Sequence, residues 1–394
     1  MSSHSPALQS GAHLPLPLGF SAHVTNIGVK DTTDDFTVVA ADQVCAAAGV
    51  FTQSSFAGAS VLLSRRNVAD LRARAMVVVS KNANVATGPQ GMADAEELVA
   101  GVAARLGCAP SEVLIASTGV IGRAYPMDRI RAGVAGIPSP LPSTDAAAVA
   151  RGIMTTDTVS KTAEASAGAA RVVGVAKGVG MIEPNMATLI TMMFTDAEVE
   201  PKKLDAIFRR VMNRTFNCVS VDTDTSTSDT AVILASGAAG TVTDDAFETA
   251  LHEVALSLTK QVARDGEGAE TLIEVTVDKA RDDEQAKRVA KSIVNSPLVK
   301  TAVHGADPNW GRVAMAVGKC NDADIDQENV VIRFGTQEVY PQRVDEAGLA
   351  QLSQYMKGDD VIIHVSLNTG NASATVWGCD LTDGYVRINA DYTT

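Results

Sequence analysis

A chain of 394 residues is too long for one small core, so we expect two or three cooperating domains. Its hydrophobic fraction of 46%, with only 4% aromatic residues, predicts an ordinary globular interior built from aliphatic side chains and methionine. A formal net charge of -13 argues against nucleic acid and anionic membrane surfaces as partners, because both favour clustered Lys and Arg.

Short β-rich runs alternate with amphipathic helical patterns, which predicts an α/β or α+β layered fold. The β-rich runs are residues 75–79, 113–116, 172–175, 272–277, 330–334 and 360–366. The proline-rich residues 136–143 predict a loop. One helix begins at Pro201 and carries an apolar stripe to Met212, and a second follows Thr243 and runs to Leu258.

A domain boundary is predicted near residues 278–284, where a charged segment follows a strand and leads into a basic helix at 285–293. This separates a main catalytic region, 1–278, from a smaller C-terminal α/β region, 279–394. The opening residues 1–20 lack the pattern of a signal peptide, and no run approaches the roughly 20 apolar residues that span a bilayer. The 5 cysteines are far apart and form no C-x-x-C pair. We therefore expect a cytoplasmic protein without disulfides.

Several kinds of catalytic motif are missing from the sequence. There is no G-x-x-x-x-G-K-[ST] loop, no G-x-G-x-x-G between a strand and a helix, and no G-x-S-x-G. The 6 histidines show no metal-ligand spacing, so we expect neither a cofactor nor a metal. An enzyme of this composition has to activate its nucleophile another way. One simple route is a threonine hydroxyl activated by its own α-amine, which requires an N-terminal threonine.

The segment K-G-V-G-M-I-E-P-N-M-A-T-L at residues 177–189 could supply such a threonine. Its two glycines permit a strained turn, and the small Ala187 precedes Thr188, which leads a strand-like run at 189–194. From these residues alone, a glycine turn that leads into a buried strand stays the alternative.

This segment closely resembles the self-processing site of the ornithine acetyltransferase family. Other stretches resemble motifs of the same family in the same order: N-A-N-V-A-T-G at 82–88, A-S-T-G-V-I-G at 116–122, I-M-T-T-D-T at 153–158, D-T-D-T-S-T-S-D-T at 222–230, D-G-E-G-A at 265–269, V-H-G-A-D-P-N-W-G-R at 303–312, and the ending G-Y-V-R-I-N-A-D-Y-T-T. The resemblance therefore covers nearly the whole chain.

The resemblance implies an N-terminal-nucleophile-like fold and a precursor that cuts itself between Ala187 and Thr188. The α subunit, 1–187, and the β subunit, 188–394, would stay associated, in a heterotetramer or a larger assembly. Thr188 would then carry the acetyl group of N2-acetyl-L-ornithine to L-glutamate by a ping-pong mechanism, with its α-amine as general base.

The resemblance also implies roles for further residues. The Thr118 hydroxyl and the Gly119 N–H would form the oxyanion hole, although a plain turn is the alternative. Substrate contacts are implied for Thr155, Lys177, Thr188, Glu267, Asn389 and Thr394. Lys177 is placed to pair with a carboxylate and Glu267 to receive an ammonium group, unless both are solvated loop charges.

Three other functions stay open on the sequence. The enzyme could also load acetyl from acetyl-CoA, or it could be a related aminopeptidase or amidase in which water accepts the acyl group. A non-catalytic binding protein would lack self-cleavage. We expect His304, Trp310 and Trp377 to be structural, and the polar run 222–230 to be packed hydroxyls near the active site.

Overall fold

The computed structural model describes residues 13–183 and 189–391. The chain divides into two compact units. Unit 1 comprises Met1–Gly178, Pro184–Asn217 and Thr225–Leu258, and unit 2 comprises Val179–Glu183, Cys218–Asp224 and Thr259–Thr394.

Unit 1 is built around one mixed sheet with the strand order β4-β3-β2-β8-β7-β6-β5, and β1 pairs with β2. Its strands are β1 (Phe20–Thr25), β2 (Phe36–Phe51), β3 (Arg72–Asn82), β4 (Val113–Val120), β5 (Lys161–Ala167), β6 (Ala170–Lys177), β7 (Ile190–Glu198) and β8 (Thr230–Thr241). Its helices are α1 (Ala59–Asn67), α2 (Gly88–Leu106), α3 (Met127–Ala135), α4 (Ala146–Gly152), α5 (Pro201–Arg214) and α6 (Asp244–Arg264), the last of which ends in unit 2. Strands β3 and β4, and strands β7 and β8, pair in parallel.

Strand β3 is buried on both faces, which places it between two layers of side chains. Met76 and Val78 join one apolar cluster, whereas Val77 and Val79 join another that contains residues of α2. This alternation follows from the two-residue period of a strand. Strand β3 therefore lies in an internal layer of unit 1.

The sheet of unit 1 curls back on itself. Lys177, the last residue of β6, donates a hydrogen bond to Thr118 in β4, although β3, β2, β8 and β7 lie between these strands in the sheet order. The two side chains can meet only if the sheet is strongly twisted and coiled. The curl brings the ends of β4 and β6 together.

Unit 2 contains a second sheet with the strand order β11-β10-β12-β9-β13. Its strands are β9 (Leu272–Ala280), β10 (Val331–Phe334), β11 (Gln337–Tyr340), β12 (Asp360–Ser366) and β13 (Ala372–Cys379), and its helices are α7 (Asp283–Val294), α8 (Pro297–His304), α9 (Trp310–Gly318), α10 (Glu346–Tyr355) and α11 (Asp383–Asp391). Helix α7 begins at the Asp282 cap and packs against β9 and β13. Asp278, the last residue of the predicted main catalytic region, lies in β9.

The α/β class and the predicted elements are confirmed. The β-rich runs become β3, β4, β6, β9, β10 and β12, and the helices predicted after Pro201 and Thr243 become α5 and α6. Residues 136–143 form a loop, but Ile137 and Leu141 are buried in the core beside β3. Across residues 13–183 and 189–391, every helix is too short or too polar to cross a membrane.

Candidate active site

Thr118 and Gly119 lie near the end of β4, where β3 contains an irregularity. Gly119 is paired with Lys81, and the register shifts between Lys81 and Asn82. Gly119 has a φ of 132°, and a Cβ atom there would lie 2.2 Å from the carbonyl carbon of Lys81. Only glycine allows the two backbones to approach so closely at this φ. The Thr118 side chain beside it is largely buried.

The Thr118 hydroxyl accepts a hydrogen bond of 3.0 Å from the Lys177 ammonium group. The direction is fixed because an ammonium group has three donors and no acceptor. The hydroxyl hydrogen of Thr118 is therefore not used in this bond and can be donated to an acceptor. A hydroxyl that already accepts a charge-assisted bond is a polarised donor, which suits it to stabilise a developing negative charge.

A buried carboxylate lies next to these groups in unit 1. Asp157 accepts hydrogen bonds of 2.7 Å from Lys161 Nζ, 2.7 Å from the Gly178 N–H and 3.1 Å from the Thr155 N–H. The side chains of Asp157 and Lys161 are both fully buried. Burial opposes ionisation of Asp157, but the ammonium groups of Lys177 and Lys161, together with these hydrogen bonds, hold its pKa below the usual range.

The start of β7 is also fixed within unit 1. The carbonyl oxygen of Leu189 accepts a bond of 2.9 Å from the Thr230 N–H. Ile190 pairs with Thr230 on one side and with Lys177 on the other. The residues that directly follow Thr188 in sequence are thus held in the sheet, beside the strand that carries Lys177.

In unit 2, Glu267 and Asn389 lie together. Asn389 Nδ2 donates a 2.9 Å hydrogen bond to Glu267 Oε2. A Cβ atom on Gly180 would lie 2.5 Å from the same carboxylate oxygen, so glycine allows the Glu267 side chain to approach the backbone here. Burial and the nearby carboxylates of Asp222 and Glu267 raise the pKa of Tyr385 to about 12, which keeps its hydroxyl protonated.

The segment directly before residue 184 is held firmly within unit 2. The Asp222 carboxylate accepts the N–H groups of residues 181 and 182, each at 2.7 Å. The Glu183 carboxylate accepts bonds of 2.5 Å from Asn295 Nδ2 and 3.1 Å from Ser220 Oγ, and lies 3.4 Å from Lys291 Nζ. These contacts fix the chain on the N-terminal side of the predicted cleavage position.

Comparison with known proteins supplies the family. The model of the ArgJ family matches residues 21–394. The chain belongs to the ArgJ family. It is 57% identical over 379 residues to "Arginine biosynthesis bifunctional protein ArgJ 2" of Nostoc sp., with 96% of this chain and 98% of the relative covered. It is 55% identical over 385 residues to "Glutamate N-acetyltransferase Oat2" of Streptomyces clavuligerus, with 96% and 98% covered.

Two solved structures of ArgJ-type proteins are also similar in sequence. An arginine biosynthesis bifunctional protein argJ from Bacillus halodurans is 43% identical, with a TM-score of 0.48, 50% of this chain covered and 96% of that one. An ornithine acetyltransferase from Mycobacterium tuberculosis, complexed with ornithine, is 34% identical, with a TM-score of 0.39 and 43% and 94% covered.

The structure brings some of the predicted ArgJ-family site residues together. In unit 1, Lys177 is hydrogen-bonded to Thr118, which is next to Gly119. The N–H groups of Thr155 and Gly178 both donate to the Asp157 carboxylate. Unit 2 joins Glu267 and Asn389. Ala187, Thr188 and Thr394 lie outside the described residues. Their roles, like those of the other site residues, stay predictions.

The buried pair Asp157–Lys161 was not predicted from the sequence. Asp157 lies within the I-M-T-T-D-T stretch, but only Thr155 was assigned a role there. The signal was the i,i+4 spacing of an acid and a base in an otherwise uncharged loop that leads into β5. Spacing alone did not indicate that both side chains are buried.

Polar groups outside the predicted site, at Asp222, Trp377 and Asp380, form hydrogen bonds within the protein. Asp222, at the start of the run 222–230, holds backbone N–H groups. Trp377 is buried and donates to Glu274. In the described part of the chain, ligand atoms of Glu270, His304 and Asp380 lie within 4.8 Å of one another. Asp380 already accepts two backbone N–H groups and contacts His304, so its buried carboxylate is satisfied by the protein itself.

Proposed function

We propose that this chain is a self-cleaving glutamate N-acetyltransferase of arginine biosynthesis, which moves acetyl from N2-acetyl-L-ornithine to L-glutamate through an ester on Thr188. Membership of the ArgJ family makes it an acyltransferase, in agreement with the name of its Streptomyces clavuligerus relative. The observation that carries the mechanism is the Lys177–Thr118–Gly119 arrangement at the end of β4.

Self-cleavage creates the nucleophile. Thr188 Oγ attacks the Ala187 carbonyl carbon, and collapse of the tetrahedral intermediate breaks the peptide C–N bond and leaves an ester. Water then hydrolyses that ester, which releases the Ala187 carboxylate and leaves Thr188 with a free α-amine. An unperturbed α-amine has a pKa of roughly 7.7 to 8.0, so a useful fraction is neutral near pH 7. It can then act as general base for its own hydroxyl.

Acetyl transfer uses the same oxygen. Thr188 Oγ attacks the acetyl carbonyl of acetylornithine, and the hydroxyl proton passes to the α-amine of Thr188. The α-amine of ornithine is then protonated and leaves. The α-amine of glutamate then attacks the acetyl ester, and N-acetylglutamate leaves as Thr188 Oγ regains its proton. No external cofactor is needed for this ping-pong exchange.

Each tetrahedral intermediate carries an oxyanion that needs donors held in advance. The Thr118 hydroxyl, polarised by Lys177, and the Gly119 N–H are our proposed donors. Removal of one such donor in other enzymes costs about 2.7 to 4 kcal/mol of transition-state stabilisation. A buried donor that is already oriented needs no reorganisation at the moment of reaction.

Substrate selection requires fixed charges. Both substrates have an α-carboxylate, for which the Lys177 ammonium group is a suitable partner. The Glu267 carboxylate, oriented by Asn389, is our proposed contact for the cationic side chain of ornithine. We propose Thr155 and Thr394 as further substrate contacts.

Three measurements test this function. On a denaturing gel the purified protein should run as two bands, and N-terminal sequencing of the C-terminal fragment should begin Thr-Leu-Ile-Thr. The cleaved protein should form N-acetylglutamate from acetylornithine and glutamate with ping-pong kinetics. A full-length, uncleaved chain with full transferase activity would exclude the Thr188 mechanism.

A second activity is favoured by the word "bifunctional" in the name of the Nostoc relative. In that case acetyl-CoA would also acetylate Thr188. Formation of N-acetylglutamate from acetyl-CoA and glutamate alone decides this point. Release of free acetate that exceeds transfer at saturating glutamate would instead identify an amidase.

A further inference from the structure

We propose that Asp157 is a positioning residue for acyl transfer, which acts through Lys177 on the Thr118 hydroxyl. The inference rests on the proposed function and extends it to a buried residue whose carboxylate accepts hydrogen bonds from donors of the protein itself. Its basis is the position of Asp157 between two chain segments that both carry predicted site residues.

The Asp157 carboxylate holds these segments by their backbones. One oxygen accepts the Gly178 N–H and the Lys161 ammonium group, each at 2.7 Å. The other accepts the Thr155 N–H at 3.1 Å. Three donors on two oxygens require a carboxylate, because an asparagine amide offers one acceptor oxygen and two donors of its own. Asp157 is therefore matched to this position by charge as well as by shape.

The buried ion pair indicates that this arrangement serves more than stability. Asp157 and Lys161 have fully buried side chains, and removing two charges from water is costly. An apolar pair of similar volume is often equally stable or more stable. The ion pair supplies what an apolar pair cannot, namely a fixed carboxylate that orients backbone N–H groups and attracts the nearby Lys177 ammonium group.

Gly178 connects this carboxylate to the oxyanion donor. Lys177 is the last residue of β6, and the bond from the Gly178 N–H to Asp157 fixes the chain where it leaves that strand. With its backbone fixed, the Lys177 side chain donates to Thr118 at 3.0 Å. Loss of the carboxylate would remove the acceptor of the Gly178 N–H and the charge that attracts the Lys177 ammonium group, so the Lys177–Thr118 contact would be held less firmly.

The test is a double-mutant cycle on the full, self-cleaved enzyme, with Asp157→Asn, Thr118→Ala and the double variant. Because a misplacement of about 1 Å in a catalytic group can reduce the rate about 100-fold, Asp157→Asn should lower kcat by roughly 10- to 100-fold. In the Thr118→Ala background, Asp157→Asn should lower kcat by less than about threefold, since both substitutions act on one group. Additive losses, or a loss confined to KM, would overturn the proposal.

Asp196→Asn is the matched control. Asp196 is also buried and also accepts two backbone N–H groups, from Leu18 at 3.1 Å and Arg171 at 2.7 Å. Arg171 is near the other end of β6, so this contact lies far from Thr118. The control should lose stability and keep the kcat of the cleaved, folded enzyme. An equal kcat loss in both variants would mean that Asp157 is merely structural.

Asp157→Asn leaves Lys161 as a buried charge without its carboxylate, so this variant could fail to fold. Asp157→Asn with Lys161→Met removes both charges and avoids that penalty. It should fold and show the same kcat loss and the same insensitivity to Thr118→Ala. Wild-type kcat in this variant would overturn the proposal. Absence of transfer by the wild-type enzyme would instead refute the proposed function.

Discussion

Gly119 offers the sharpest test of the oxyanion site, because the structure predicts how a single methyl group would disturb it. In Gly119→Ala the new Cβ would lie 2.2 Å from the Lys81 carbonyl carbon and 2.5 Å from Lys81 Cα. Both atoms belong to the backbone of β3, so no side-chain rotation can relieve the contact. Either strand β4 moves away from β3 or the backbone dihedral angles at residue 119 change.

The size of that movement sets the expected effect. Ordinary van der Waals contact begins at 3.4 Å, so the strands must separate by 3.4 - 2.2 = 1.2 Å unless Gly119 rotates instead. Either change displaces the Gly119 N–H and the neighbouring Thr118 hydroxyl. A shift of this size predicts a loss in kcat of about 100-fold, which corresponds to about 2.7 kcal/mol at 1.36 kcal/mol per factor of ten. The positive φ adds a folding cost of roughly 1–3 kcal/mol.

Gly122→Ala separates the two contributions. Gly122 also has a positive φ, 81°, but a Cβ atom there would meet nothing within 4 Å. This control should lower the free energy of unfolding, measured by urea denaturation, and keep kcat for acetyl transfer. Gly119→Ala should lower both the free energy of unfolding and kcat. A Gly119→Ala enzyme with wild-type kcat would refute the assignment of this backbone N–H to the oxyanion hole.

Four further outcomes are expected. Thr188→Ala should stay a single band on a denaturing gel and be inactive, whereas Thr188→Ser should still cleave slowly, since a hydroxyl remains to attack Ala187. Thr118→Ala should lower kcat on the order of 100-fold or more and change KM little, as steady-state kinetics would reveal. Lys177→Ala should raise KM for both acetylornithine and glutamate. In the folded state the pKa of Asp157 is lowered from 3.8. Its ionised carboxylate therefore stabilises the fold above pH 3.8, and this contribution is lost as the pH falls through the folded-state pKa. On acidification below pH 3.8, the urea midpoint of Asp157→Asn should therefore decrease less than that of the wild type.

Much of the fold could be predicted because hydrophobic periodicity is a local property. The apolar runs at 75–79 and 360–366 lie inside β3 and β12, and Pro201 begins α5. Strand β2 (Phe36–Phe51) was not predicted, since Asp42 and Gln43 interrupt its apolar pattern. Its pairing register with β3 shifts at this point, so the polar residues occupy an irregularity that no local pattern indicates.

The candidate site could be predicted as a set of residues but not as a geometry. The S-T-G sequence at the end of a predicted strand and the motif that begins at Lys177 indicate two segments that the structure brings together. Their proximity depends on the curl of a sheet in which four strands separate β4 from β6. That curl results from the summed twist of many strand pairs, so it leaves no signal in either segment. The contact between Asp157 and the Gly178 N–H also joins residues far apart in the chain, so no local pattern indicates it.

The bond between Lys177 and Thr118 changes how the role of Lys177 should be tested. An ammonium group has three donors, so a bond to the Thr118 oxygen is compatible with a second bond to a substrate carboxylate. One contact would act on the bound substrate and appear in KM, whereas the other would act through Thr118 in the transition state and appear in kcat. Lys177→Ala removes both, so its kcat effect has to be measured again in the Thr118→Ala background. A kcat loss that disappears in the Thr118→Ala background is due to the contact of Lys177 with Thr118. A KM increase that persists in that background is due to its contact with the substrate carboxylate.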